Sequence, residues 1–150
     1  MATRKPLVQV SGLVQELPAG DQIVVTTRED LAGQWDLNAA RTNVGIVFAD
    51  VYDETGTGGR RVQIDTTGKT HVRLHVQWRR LGSGTQSVAV ADAATGEILV
   101  QLDVVEGDNK GTLVAIPATL QNTVKDYRIQ AKSTNAGDDP VFVGARVYLK

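Results

Sequence analysis

Between His71 and Arg79 the chain reads HVRLHVQWR and alternates without a fault. Val72, Leu74, Val76 and Trp78 fall on one side; His71, Arg73, His75, Gln77 and Arg79 fall on the other. Successive side chains of a strand point to opposite faces of its pleat, so a period of two marks a strand with one buried face. The same alternation recurs in EILVQLDV, with Ile98, Val100, Leu102 and Val104 together, and in VKDYRIQAK, with Tyr127, Ile129 and Ala131 together. VFVGARVYLK sets Val141, Val143, Ala145, Val147 and Leu149 against Phe142, Arg146 and Tyr148. QIVVTT, NVGIVFADVY, RRVQI, QSVAVAD and TLVAI are further strand candidates.

Turn chemistry separates these runs. DAATGE (Asp92–Glu97) places Gly96 where a tight hairpin needs a positive φ. DETGTGG, LGSGT, VEGDNKG and STNAGDDP punctuate the rest. REDLAGQWDLNAAR (Arg28–Arg41) holds Leu31, Trp35 and Leu37 without a clean 3.6-residue period, and Gly33 weakens any helix, so it reads as loop with little helix. Crossover helices are missing, which rules out a parallel α/β fold. Short strands at near-regular spacing between Gly, Asp and Asn turns predict an all-β fold. We expect an antiparallel β-sandwich or jelly roll of about eight strands. Residues 1–30 are expected to form an N-terminal arm or edge hairpin, and residues 31–150 the sandwich.

A compact chain of 150 residues buries enough surface for a self-sufficient core. Sixteen basic residues against seventeen acidic ones leave a net charge of -1, no footprint for nucleic acid or for an anionic membrane surface. Cysteine is absent, which removes disulfides, thiolate metal sites and a cysteine nucleophile, and favours assembly in a reducing cytoplasm. The start MATRKPLVQV lacks the apolar core of about 7–15 residues that a signal peptide needs. No window approaches the roughly 18 apolar residues of a membrane-spanning helix.

Chemical motifs fare poorly. His71 and His75 would share a face on a helix, but on a strand they lie about 13 Å apart, too far for one metal ion. The acidic loops bearing Asp50, Asp53, Glu54, Glu106, Asp108, Asp138 and Asp139 lack calcium-loop spacing and match ordinary turn composition. TGTGGR (Thr55–Arg60) lacks the Gly-Lys-Ser/Thr ending of a phosphate loop and precedes a strand. No Gly-x-Ser-x-Gly elbow occurs. We therefore expect no enzyme, and assign no catalytic residue, cofactor or metal. Trp78 and Tyr127 fall on core sides; Trp35, Phe142 and Tyr148 are rings that could reach a partner, with packing the commoner role.

The opening segment KPLVQVSGLVQELPAGDQI is different: strand-like, apolar and without chemistry. Read as one extended strand it places Val8, Val10 and Val14 on one face and Leu7, Leu13 and Leu17 on the other. A strand apolar on both sides needs cover on both, or a partner edge. It is either the first strand of the domain or an arm that completes a neighbouring subunit by strand addition. Leu7, Val8, Val10, Leu13, Val14 and Leu17 are the expected assembly contacts.

In its wording, Pro6-Leu7-Val8, Gly12, Leu17-Pro18-Ala19-Gly20-Asp21 and Ile23, the segment resembles a leader found in structural proteins of tailed bacteriophages. Such leaders head decoration, head-fibre and tail-fibre proteins, and the resemblance covers about twenty residues. It implies a non-enzymatic virion protein assembled in the host cytoplasm. Among virion roles, the short length and lack of heptads or repeats favour a capsid decoration (cement) protein on the capsid surface. Its partners would be the major capsid protein and copies of itself, a trimer being the form assembly logic suggests. The alternative is a short tail-fibre or receptor-binding tip recognising a host surface glycan.

Overall fold

The computed structural model describes residues 7–10, 13–16, 28–41, 45–51, 60–80, 82–104, 106–138 and 140–150. Twelve strands run through them: β1 Leu7–Val10, β2 Leu13–Glu16, β3 Asp30–Arg41, β4 Ala49–Asp50, β5 Val62–Asp65, β6 His71–Arg79, β7 Gln86–Asp92, β8 Ile98–Val104, β9 Gly107–Lys110, β10 Val114–Ala115, β11 Val124–Ser133 and β12 Val141–Leu149. The one helical element among the described residues is a 3₁₀ turn, Ala118–Leu120.

Two five-stranded antiparallel sheets make the body. In the first, β9 and β10 lie in line along one edge of β6, followed by β12 and then β3. In the second, β4 and β5 lie in line along β11, followed by β7 and β8. Each in-line pair fills one place, so the ten strands occupy eight positions. Counted along the chain, the paired positions are first with eighth, second with seventh, third with sixth, and fourth with fifth. That is one long hairpin rolled into two sheets, the jelly roll expected from the strand pattern.

The core is the apolar faces of the two sheets. Val72, Leu74, Val76 and Trp78 of β6 are all buried, and so are Tyr127, Ile129 and Ala131 of β11, as their alternation predicts. Each fully buried side chain of this kind contributes about 1.5–3 kcal/mol of transfer free energy. Trp78 stacks obliquely on Phe142 with ring centroids 5.1 Å apart. The β7–β8 turn closes on Gly96 at φ +76°, while the Asp92 carboxylate accepts from Ala94 N at 2.8 Å. Gly96 donates to Asp92 O at 2.8 Å, completing the turn.

Three sequence expectations are corrected. Arg28–Arg41 is not loop but contains the twelve-residue strand β3, paired along β12. Only Gly33 and Trp35 of its described side chains are buried, too sparse a signal for strand periodicity to show. On β12 a bulge between Phe142 and Gly144 shifts the register by one residue, turning Phe142 into the core and Val143 out to 48% exposure. NVGIVFADVY yields only the two-residue β4, with Ile46 and Val47 exposed in the approach to it. The candidate strand at 22–27 and the glycine-rich stretch at 55–59 lie outside the described residues.

Candidate functional site

The leader is a hairpin. β1 and β2 pair with Leu7 opposite Glu16, Val8 opposite Gln15, Gln9 opposite Val14 and Val10 opposite Leu13. The two strands are therefore antiparallel and do not run on as one. Among the described residues β1 and β2 pair only with each other and enter neither sheet of the sandwich. Leu17 lies outside the described residues.

The second feature is the outer face of the first sheet. Its registers bring Gln34 of β3, Arg146 of β12, His75 of β6 and Lys110 of β9 into one row across four strands. The next row reads Asp36, Gly144, Gln77 and Asp108. Gln34 Nε2 donates to both Asp36 carboxylate oxygens, at 2.9 and 3.1 Å. His75 Nε2 meets the Asp108 carboxylate. Arg73, two residues before His75 on the same face, holds Glu29 through a two-pronged pair at 2.9 and 2.7 Å and donates to Gly111 O at 3.0 Å. A recess of about 80 Å³ opens where Gly144 contributes no side chain.

Other polar groups serve the fold. Asp138 is buried and accepts from Ser133 Oγ at 2.7 Å, Gly84 N at 3.0 Å and Gln86 Nε2 at 3.2 Å, tying the β6–β7 connection to the β11–β12 connection. The Ser133 hydrogen bond, first among these, holds its carboxyl below the usual range. Asp92 is buried at the end of β7, and its bond to Lys125 Nζ at 2.7 Å lowers its pKa to about 2. Asp50 accepts from Arg128 at 3.1 Å and Gln130 at 2.8 Å.

Of the expected sites, then, the acidic residues Asp50, Asp108 and Asp138 each take a protein donor, and Asp53, Glu54 and Asp139 lie outside the described residues. Among the described residues no three His, Asp or Glu side chains gather as metal ligands. Trp35 is fully buried and donates Nε1–H to Arg60 O at 2.8 Å, so it packs and does not reach a partner. Phe142 is likewise core. Sequence reading placed His75 and Gln77 on an outward face and Arg146 opposite the β12 apolar side, but had no means to align them across strands.

No family model matches the chain, and no curated protein matches it. Solved structures give distant likenesses. The CBM22-1–GH10 modules of xylanase 10B from Clostridium thermocellum, complexed with xylohexaose, share 18% identity over 81% of this chain and 28% of that one, with a TM-score of 0.38. The T13 particle of infectious bursal disease virus shares 13% over 96% and 35%, at 0.40. An acetyl xylan esterase from Butyrivibrio proteoclasticus shares 10% over 78% and 32%, at 0.36. The chain spans about a third of the length of these proteins. Its jelly-roll assignment stands on its own strand order.

Proposed function

We propose that this chain is a non-enzymatic structural protein of a tailed-phage virion, a capsid decoration protein that bridges capsid subunits and associates with copies of itself through its leader. The observation that carries the proposal is the leader hairpin. All eight positions of the jelly roll are filled by β3–β12, so the hairpin is not needed to complete the sandwich. A lone two-stranded hairpin is marginally stable in water and presents two unpaired edges. In the proposal, a neighbouring subunit supplies the cover. The phage-leader wording of Pro6-Leu7-Val8 and Leu17-Pro18-Ala19-Gly20-Asp21 supports the choice of partner.

Purified protein should bind assembled phage heads that lack their decoration protein and raise their resistance to heat or chelation. Removing residues 1–20 should leave a folded, soluble sandwich that no longer binds or self-associates. An unfolded truncation product would return the leader to the role of first strand. Failure to bind such heads, together with binding of isolated protein to host cells, would favour the receptor-binding tip.

A further inference from the structure

We infer that the outer face of the β3–β12–β6 sheet is a binding site for a neutral sugar unit, seated in the recess over Gly144. The recess exists because of the β12 bulge. Gly144 sits between Asp36 on β3 and Gln77 on β6, and a Cβ placed on it would meet the Trp35 carbonyl oxygen at 3.0 Å. With no side chain at 144, the row is open between the Asp36 and Gln77 side chains. The bulge also pushes Val143 out beside that gap. Asp36, Gln77, His75 and Arg146 form the polar wall, and Val143 adds an apolar patch.

Charge selects the ligand class. The recess holds one carboxylate, Asp36, and one guanidinium, Arg146, which makes no salt bridge among the described residues. Neighbouring His75 is already engaged by Asp108. A phosphate or an acidic sugar would find Arg146 but also face Asp36. An ammonium or metal ion would find Asp36 but face Arg146. A polyol uses both at once, since each hydroxyl donates one hydrogen bond and accepts others. Asp36 accepts, Arg146 donates, and the Gln77 amide does either.

The groups are also positioned in advance. Gln34 Nε2 bridges both Asp36 oxygens, which fixes the carboxylate plane. Neighbouring strands are about 4.8 Å apart, so Asp36 and Gln77 flank Gly144 at a separation of roughly 10 Å, room for one sugar ring between them. Val143 offers its methyls to a ring's C–H face. The recess is shallow and has no aromatic platform, so a single unit of about a dozen heavy atoms should bind with Kd on the order of 1–10 mM.

The test uses the full ¹⁵N-labelled chain and does not depend on virion assembly. Neutral mono- and oligosaccharides of glucose, galactose, mannose and xylose are titrated in, with N-acetylneuraminate and inorganic phosphate as separate arms. The side-chain NH₂ signals of Gln34 and Gln77 and the amides of Gly144 and Arg146 report on the recess. We expect saturable shifts at these signals with at least one neutral sugar, weakened about tenfold or more by Arg146→Ala and by Asp36→Ala. Gln101→Ala on the opposite sheet should leave them unchanged. Absence of saturation by every neutral sugar overturns the inference. So does a response to N-acetylneuraminate or phosphate alone, or shifts that map to the loops.

Discussion

β6 and β7 are both interior strands, one in each sheet, yet they are buried in different ways. β6 alternates, its inner residues covered and its outer ones wet or half-covered; β7 is buried at all seven positions, Gln86 through Asp92. The difference lies in the neighbours of their outer faces. On β7 the outward residues are small, Ser87, Ala89 and Ala91, and their β11 partners are Lys132, Gln130 and Arg128. Those long side chains lie over the small ones, and Asp50 pins two of them, Arg128 and Gln130. On β6 the outward residues are themselves long, and the small residue, Gly144, sits on the neighbouring strand. The same device, long beside short, closes one sheet's outer face and leaves a recess in the other.

The two strands share a core, so the largest effect should not tell them apart: Leu74→Ala on β6 is expected to cost about 2–5 kcal/mol in chemical denaturation. The contrast should emerge outside. Ala89→Gln on β7 would force a long side chain beneath Gln130 and cost about 1–3 kcal/mol; a loss below about 0.5 kcal/mol would mean that this face is not closed. At the end of β7, Asp92 has its pKa depressed to about 2 by Lys125. The sign follows: its contribution, on the order of 2 kcal/mol, is present above the unfolded carboxyl value near 3.9 and is lost as pH falls towards 2. Asp92→Asn should flatten the stability–pH curve between about pH 4 and 2 relative to the parent, by thermal melts. Smallest of all, Gln77→Ala on the β6 outer face should shift stability by no more than about 0.5 kcal/mol.

Much of the sandwich could be read in advance. HVRLHVQWR and VKDYRIQAK keep strict alternation because neither strand carries an extra residue, the β6–β12 irregularity falling on β12, and one face of each meets the core. β3 escaped because two irregularities in its pairing with β12, between Phe142 and Gly144 and between Val147 and Tyr148, break its period of two. The inside-out reading of Phe142 and Val143 has a single cause: one extra residue at the bulge reverses every parity count made across it. The leader's apolar character was visible in the sequence; the antiparallel pairing of β1 with β2 was not, because Ser-Gly is compatible with both a turn and a strand kink.

What the residues settle alone is local: period two, turn residues, Gly96 at a positive φ, and the lack of cysteine chemistry. These follow from sterics and from which face a side chain must take. Which polar residues stand side by side is a matter of register between strands distant in sequence, and only the tertiary structure decides it. Arg146, Gln34, His75 and Lys110 become one row through pairings set by the whole rolled hairpin and its bulges, and no local rule carries that information.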